Sequence, residues 1–468
     1  MDDAFRGKRY TVMGLGVLGG GTGVAHYLAE HGAKVIVTDM RPPEDLQQSI
    51  QQLSGLPIAF HLGGHDDRDF TAERADVVVR NPGVRRDSRY LALARSNGVA
   101  VEMEMSLFFR ACPARTIGVT GTKGKTTVTA LIGSILRTWN KESFIAGNMG
   151  ISAMEGLNRL TPDTPVAIEL SSWQLEAMNE HRLNPTVSVI TNFSEDHLDR
   201  YDGFEDYVET KRSIAHHQRP GDVVVFNNDD PHVAKVRRQS PARAMPFGVN
   251  RVDHNGAWVE PDSLVAVFDG VEARLPLPDQ LSLSGAHGRM NALAAIAATL
   301  AYGVPPEVIA AGVEAFRGVE NRMEEIGEVN GVSFVNDTSS TAPVATVAAL
   351  QLLAERPGRV HLITGGADKQ SDLVVFLDAI ARGTASVALL PGTATGKVMQ
   401  GLLQRGVTPF PVAASMHEAV SQAFGCAQPG DTILLSPGLA SFGLFRNEFD
   451  RGAQFRQSMK DLSAGDHE

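Results

Sequence analysis

The sequence predicts an α/β protein of three domains with parallel, doubly wound sheets. Its 468 residues correspond to three domains at roughly 150 residues each. Short apolar stretches of strand length alternate with helical patterns along the chain, the order that builds parallel sheets covered by helices. Clusters of Gly, Ser, Asn and Asp fall just past those strands, at the carboxyl ends where such sheets hold ligands. The domain divisions are expected at residues 1–104, 105–319 and 320–468.

In the first domain, residues 10–16 form an apolar strand entering a glycine turn, and 22–31 a helix. A second strand at 34–38 ends at Asp39, and a third at 76–79 precedes Asn81-Pro82-Gly83. The second domain starts with a strand at 115–120, which delivers the loop GTKGKTT and a helix reaching Trp139. Strands follow at 166–170, 187–191 and 222–226, then short hairpins over 257–282 and a helix at 287–302. Pro305 and Pro306 open the next helix, because proline fits the first helical turn. The third domain repeats the alternation, with strands at 333–336, 360–364, 386–390 and 432–435.

Hydrophobic residues make up 43% and charged residues 21% of the chain, the balance of a globular protein. The net charge of -11 with no basic run excludes nonspecific nucleic-acid binding. A phosphate-bearing ligand must therefore be held by local devices: loop amides, single cations or metal ions. Cys112 and Cys426, the two cysteines, make neither a disulfide framework nor a zinc pattern. The start, MDDAFRGKRY, has no apolar stretch behind its charges, and no run of 18 apolar residues occurs, so a cytoplasmic protein without membrane insertion is expected.

The stretch GVTGTKGKTT, residues 118–127, carries the most chemistry. A strand runs into a glycine loop and the loop into a helix, so backbone amides and the helix start can converge on phosphate oxygens. Lys125 can reach the terminal phosphates and the Thr126 hydroxyl can ligate Mg²⁺. The strict G-x(4)-G-K-[ST] spacing is not met, and a plain glycine-rich turn fits the same residues. In IELSSWQLE, residues 168–176, Glu169 ends a strand, where a carboxylate suits Mg²⁺; a serine cap with an exposed Glu169 fits as well. In TNFSEDHLDRY, residues 191–201, His197 stands among Glu195, Asp196 and Asp199, as a metal site or a solvated acidic loop.

GLGVLG, with Gly14, Gly16 and Gly19, matches G-x-G-x-x-G, and Asp39 follows twenty residues later; alone it reads as a nicotinamide-dinucleotide fingerprint. Its physical content is a diphosphate over a helix start and an acid near a sugar or base, which a nucleoside diphosphate also satisfies. Three carboxy-terminal clusters, NDTSST at 336–341, GGADK at 365–369 and LSPGLASFGLF at 435–445, suit a small acid or ordinary turns.

Together these stretches resemble the Mur ligase family over essentially the whole chain. TGTKGKT resembles the family's TG[ST]NGK[ST]. ELSSWQLE, EDHLDRY and the early unit with Asp39 and Arg41 look like its glutamate-adding type. The resemblance implies a Rossmann-like amino-terminal domain for a UDP group, a P-loop-type central ATPase and a Rossmann-like carboxy-terminal domain for an amino acid. It implies that ATP contacts Gly121, Thr122, Lys123, Gly124, Lys125, Thr126, Thr127, Asn291, Arg322 and Asp337. The UDP-sugar falls to Gly14, Gly16, Val17, Leu18, Asp39, Arg41 and Asn148, and the amino acid to Thr341, Lys369 and Ser441. Two Mg²⁺ are implied, one on Thr126 and Glu169, the second on His197, with Lys211 carbamylated as a further ligand; Lys125, His197 and Lys211 are the implied catalytic residues. The implied reaction joins D-glutamate to UDP-N-acetylmuramoyl-L-alanine through an acyl phosphate, in peptidoglycan precursor synthesis, by a monomer.

The chain departs from the family pattern at Lys123 and Gly288, where asparagine is usual, and at Asn321, where histidine is common. It departs too at Ser339, where lysine is usual, and at Glu448, where the glutamate-adding type often has an aromatic residue. The last two keep L-glutamate or another amino acid open as acceptor. Outside this reaction, the alternatives are folylpolyglutamate synthesis, an NAD-dependent oxidoreductase built on GLGVLG, and a non-catalytic nucleotide sensor.

Overall fold

The computed structural model describes residues 5–15, 20–147, 152–196, 200–252, 254–280, 283–367, 372–441 and 444–465. The chain divides into two compact units: residues 1–277 with 289–315, and residues 278–288 with 316–468. Among the described residues the strands form three sheets, two in the first unit and one in the second.

The first sheet holds β1 (Arg9–Met13), β2 (Lys34–Asp39), β3 (Ile58–Leu62), β4 (Val77–Arg80) and β5 (Ala100–Glu102) in the order β3-β2-β1-β4-β5. All pairs are parallel. β1 lies at the centre because its residues are apolar enough to be covered on both faces; Val12 pairs with Val37 on one side and Val79 on the other. β3 and β5 are not foreseen in the sequence. IAFHL has a histidine where an apolar residue would mark a strand, and β5 is three residues long.

The second sheet runs β14-β13-β12-β11-β10-β9-β6-β8-β7. Its parallel part is β6 (Thr116–Thr120), β7 (Phe144–Gly147), β8 (Val166–Glu169), β9 (Val187–Ile190), β10 (Val223–Asn227), β11 (Arg243–Gly248) and β12 (Gly256–Val259). The expected hairpins are β12, β13 (Ser263–Phe268) and β14 (Val271–Pro276), which pair antiparallel. One apolar cluster serves both sheets of this unit, from Val12 and Leu28 through Phe108 to Phe144 and Ile168. The helix Glu104–Ala111 supplies Met105, Leu107 and Phe108 to it, all buried.

The second unit holds β15 (Glu324–Val329), β16 (Val332–Asn336), β17 (Val360–Gly365), β18 (Ser386–Leu390) and β19 (Thr432–Leu435) in the order β15-β16-β19-β17-β18. Only β15, at the edge, runs antiparallel. The carboxyl ends of β16, β19 and β17 therefore lie side by side, as a small-ligand crevice requires.

Candidate functional site

β6 ends at Thr120, and the turn after it needs glycine at two places. Gly121 has φ +143°, and a Cβ there would lie 1.9 Å from Thr191 Oγ1. Gly124 has φ +84°, precedes the helix Lys125–Trp139, and would place a Cβ 2.4 Å from Asn291 Oδ1. The fold thus presses Asn291, which the sequence places far away, against the turn. The segment after β9 holds the turn from the other side. Thr122 N–H donates to Asn192 O at 2.8 Å, Lys123 N–H to Asn192 Oδ1 at 3.0 Å, and Thr191 Oγ1 to Lys123 O at 2.6 Å. Thr122 Oγ1 donates to Ser194 O at 3.2 Å and lies 3.1 Å from the Tyr207 hydroxyl. Asp230 Oδ2 in turn accepts from Phe193 N–H at 2.8 Å. Tyr207 and Asp230 carry no local signature, so sequence reasoning misses them.

Lys125 Nζ donates to Thr122 O at 3.0 Å, folded back over the turn at the start of the helix. Lys211 comes from the helix Phe204–Arg212 and is 2% exposed; its Nζ donates to Gly121 O at 2.9 Å. Burial, reinforced by the charge of Lys125, holds the Lys211 ammonium well below its ordinary value, while Asp196 and Glu169 pull the other way. The lysine pair, Asp196 and Glu169 therefore feel one another electrostatically.

Glu169 closes β8, in register with Val119 of β6, and is 2% exposed. It is not the solvated side chain that a simple helix cap would leave. The cap is real nonetheless: Ser171 N–H donates to Gln174 Oε1 at 2.8 Å and Gln174 N–H to Ser171 Oγ at 3.4 Å. A buried carboxylate, a second carboxylate at Asp196 and the half-buried Thr126 hydroxyl offer hard oxygens of the kind Mg²⁺ takes. Among the described residues, no group of three or more His, Cys, Asp or Glu side chains is placed to hold a metal ion.

In the first sheet, Gly14 has φ +91° and its N–H donates to Thr38 O at 2.8 Å. A Cβ on Gly21 would lie 2.3 Å from Gly14 O, so Gly21, beyond the recognised motif, lets the helix Gly20–Glu30 approach the turn. Asp39 accepts from Leu15 N–H at 2.8 Å and from Arg41 N–H at 2.9 Å; it is buried and shapes the turn, while Arg41 is exposed. Thr38 Oγ1 lies 2.7 Å from His65 Nδ1, and the Tyr90 ring stands edge-on to His65 at 4.7 Å. Burial lowers the His65 imidazole from its ordinary value. Between the two sheets of this unit, Arg80 Nη2 donates to Glu176 Oε2 at 2.6 Å and the Tyr201 hydroxyl to Glu176 Oε1 at 3.0 Å. Arg80 and Glu176 edge a cavity of about 170 Å³ that Arg86 and Arg200 also line. The Asn81-Pro82-Gly83 turn, IELSSWQLE and TNFSEDHLDRY each contribute to its lining, but their meeting here is not visible in the sequence.

In the second unit, three loops meet past the carboxyl ends of the strands. Gly438 N–H donates to Ser340 O at 2.8 Å, which ties the loop after β19 to the loop after β16. Ala367 and Ala440 form an isolated bridge, which ties it to the loop after β17. Thr341 is half-buried and Ser441 buried in these loops. Asp337 is 4% exposed; burial raises its carboxyl to about 6, against hydrogen bonds from Ser340 and Ser436 and the charge of Arg322. Of the expected site residues, Gly16, Val17, Leu18, Asn148, His197 and Lys369 lie outside the described residues.

Three family models match the chain. The Mur ligase MurD-like N-terminal domain covers residues 8–102, the Mur ligase middle domain 119–299, and the Mur ligase glutamate ligase domain 321–439. The chain is 45% identical to the UDP-N-acetylmuramoylalanine--D-glutamate ligase of Roseiflexus sp. (strain RS-1), over 98% of this chain and 99% of the relative. It is 36% identical to the ligase of the same name from Acidobacterium capsulatum, over 96% of each. Among solved structures it resembles UDP-N-acetylmuramate-alanine ligase MurC from Thermotoga maritima, with a TM-score of 0.60 at 20% identity, over 97% of this chain and 99% of that one. It also resembles MurF from Acinetobacter baumannii, with a TM-score of 0.58 at 19% identity, over 86% and 93%. These two likenesses are of fold.

Proposed function

The chain belongs to the Mur ligase family, and we propose that it is the ligase that joins D-glutamate to UDP-N-acetylmuramoyl-L-alanine, using ATP, in peptidoglycan precursor synthesis. The observation that carries this reading is the turn of Gly121 to Lys125, backed by buried Glu169 and Lys211 and by Asp196. Residues 1–104 would take the UDP group, 105–319 ATP and 320–468 glutamate. The protein acts as a monomer in the cytoplasm on this reading; no described helix is long and apolar enough to cross a membrane.

A carboxylate has no good leaving group, and phosphorylation supplies one. The alanyl carboxylate attacks the γ-phosphorus of ATP: an O–P bond forms, the bond to ADP breaks, and an acyl phosphate results. The glutamate amine then attacks the acyl carbon, loses a proton, and inorganic phosphate leaves. Positioning and charge neutralisation carry the first step, which asks little of acid–base groups. Lys125 and the helix start behind it hold the phosphates, Asn192 keeps the turn in shape, and Asn291, close against Gly124, contacts ATP. Thr126, Glu169 and His197 would hold Mg²⁺, which supplies charge neutralisation at the phosphates.

Lys211 would carry a carbamate. A buried amine whose ammonium form is disfavoured is the form that adds to carbon dioxide, and the product gives a carboxylate where Lys125 would otherwise meet a like charge. Arg322 and Asp337 are assigned to ATP, Thr341, Lys369 and Ser441 to glutamate, and Gly14, Gly16, Val17, Leu18, Asp39, Arg41 and Asn148 to the UDP-sugar.

A second acceptor, L-glutamate or another amino acid, is left open by the sequence: Ser339 and Glu448 stand where the family usually has lysine and often an aromatic residue. The test incubates the protein with ATP, Mg²⁺, UDP-N-acetylmuramoyl-L-alanine and either D- or L-glutamate, and weighs the product. Product from D-glutamate alone is expected. Product from L-glutamate alone would move the acceptor, and none from either would overturn the reading.

A further inference from the structure

At the amino ends of the strands in the second unit, away from the loops described above, four side chains form a cluster that the ligase reaction does not use. His361 is the second residue of β17, Ser386 the first of β18, Asp431 immediately precedes β19, and Cys426 follows the helix Met416–Phe424. His361 and Asp431 are buried, while Cys426 is an exposed free thiol. His361 Nε2 lies 3.0 Å from Asp431 Oδ2. Burial opposes the charge on Asp431, but hydrogen bonds from His361 and from the amides of Arg359 and Gln428 outweigh it and hold the carboxyl far below its ordinary value. An ionised carboxylate only accepts, so Nε2 bears the hydrogen, and in the neutral imidazole Nδ1 then presents its lone pair. Nδ1 lies 3.5 Å from Cys426 Sγ and 2.9 Å from Ser386 Oγ, which is itself 3.4 Å from Sγ. The thiol proton has a direct route to Nδ1 and a second through the Ser386 hydroxyl.

A nucleophile at the surface, a base behind it and a carboxylate orienting the base form the arrangement that activates cysteine. From this geometry we propose that Cys426, His361 and Asp431 form a modification site at which the Cys426 thiol exchanges with small disulfides. Cys426 gives its proton to Nδ1 as its sulfur attacks one sulfur of the disulfide. A new S–S bond forms, the old one breaks, and the departing thiolate takes the proton back from the imidazolium. Cys426 is oxidised and the departing sulfur reduced, so the electrons balance.

The experiment uses the full chain carrying Cys112→Ser, which leaves Cys426 as the single thiol, with oxidised glutathione as probe and intact mass as readout. The mixed disulfide is expected to form at least about tenfold faster in the folded chain than in the same chain unfolded in urea at the same pH. His361→Gln and Asp431→Asn, each checked for unchanged ligation, are expected to lose that advantage, because neither leaves Cys426 less exposed. Equal rates in the folded and unfolded chain would overturn the proposal without reference to any variant. Folded variants that react as fast as the parent would overturn it as well.

Discussion

Asp337 stands at the end of β16, and the burial that raises its carboxyl to about 6 makes it a pH-sensitive element of the second unit. The unfolded chain releases this proton near 3.8 and the folded one near 6, so the folded state binds it more tightly. Below both values the residue costs nothing; as pH rises from about 4 to about 6 folding loses stability, up to on the order of 3 kcal/mol. In Asp337→Asn, Oδ1 still accepts from Met323 N–H, which lies 3.2 Å from Asp337 Oδ1, and the Ser436 hydroxyl can turn to accept. The variant is expected to abolish this pH-dependent fall in hydrogen-exchange protection of β16 and β19; an unchanged slope would mean that another group titrates. At this scale the sequence is legible where chemistry is local. Gly124, Lys125 and Thr126 stand in one short run whose order already describes a phosphate turn. Tyr207, Asp230 and Arg80 are not legible, because each meets its partner across dozens of residues and carries no pattern of its own.

The helix Glu448–Gly465 is attached to the sheet of the second unit by a buried cation. Arg451 is fully buried; its Nε donates to Thr338 Oγ1 at 2.9 Å and its Nη2 to Thr338 O at 2.8 Å. Burial lowers its guanidinium to about 10. Arg451→Met fills much of the same volume but donates nothing, and leaves a buried carbonyl without that partner, a loss of about 2 kcal/mol. Faster proteolytic release of this helix is expected from the variant; release at the parent's rate would show that apolar contacts such as Phe455 hold it alone. Elements were legible in the sequence where Val and Ile crowd together, as in β4, β9 and β10. The missed strands each break that pattern. β7 (FIAG) has a single branched residue and ends in glycine, β11 contains Pro246, and β15 is a charged antiparallel edge with a register shift between Glu325 and Gly327.

Over the whole chain, the order of motifs was more informative than any one of them. GLGVLG alone points to a dinucleotide, yet it is followed by a second phosphate turn and three converging carboxy-terminal loops, which no single-cofactor oxidoreductase requires. Family models matching 8–102, 119–299 and 321–439 remove the oxidoreductase alternative. The packing of the first two sheets around one apolar core was not legible, since residues from both, such as Val12 and Ile168, look like ordinary core positions of separate domains. The central claim is that ATP seated at the turn of Gly121 to Lys125 converts a carboxylate into an acyl phosphate. It is tested most directly with UDP-N-acetylmuramoyl-L-alanine bearing heavy oxygen in its alanyl carboxylate, by weighing the inorganic phosphate released during ligation. One heavy oxygen in each phosphate is predicted, and phosphate without the label would contradict the account.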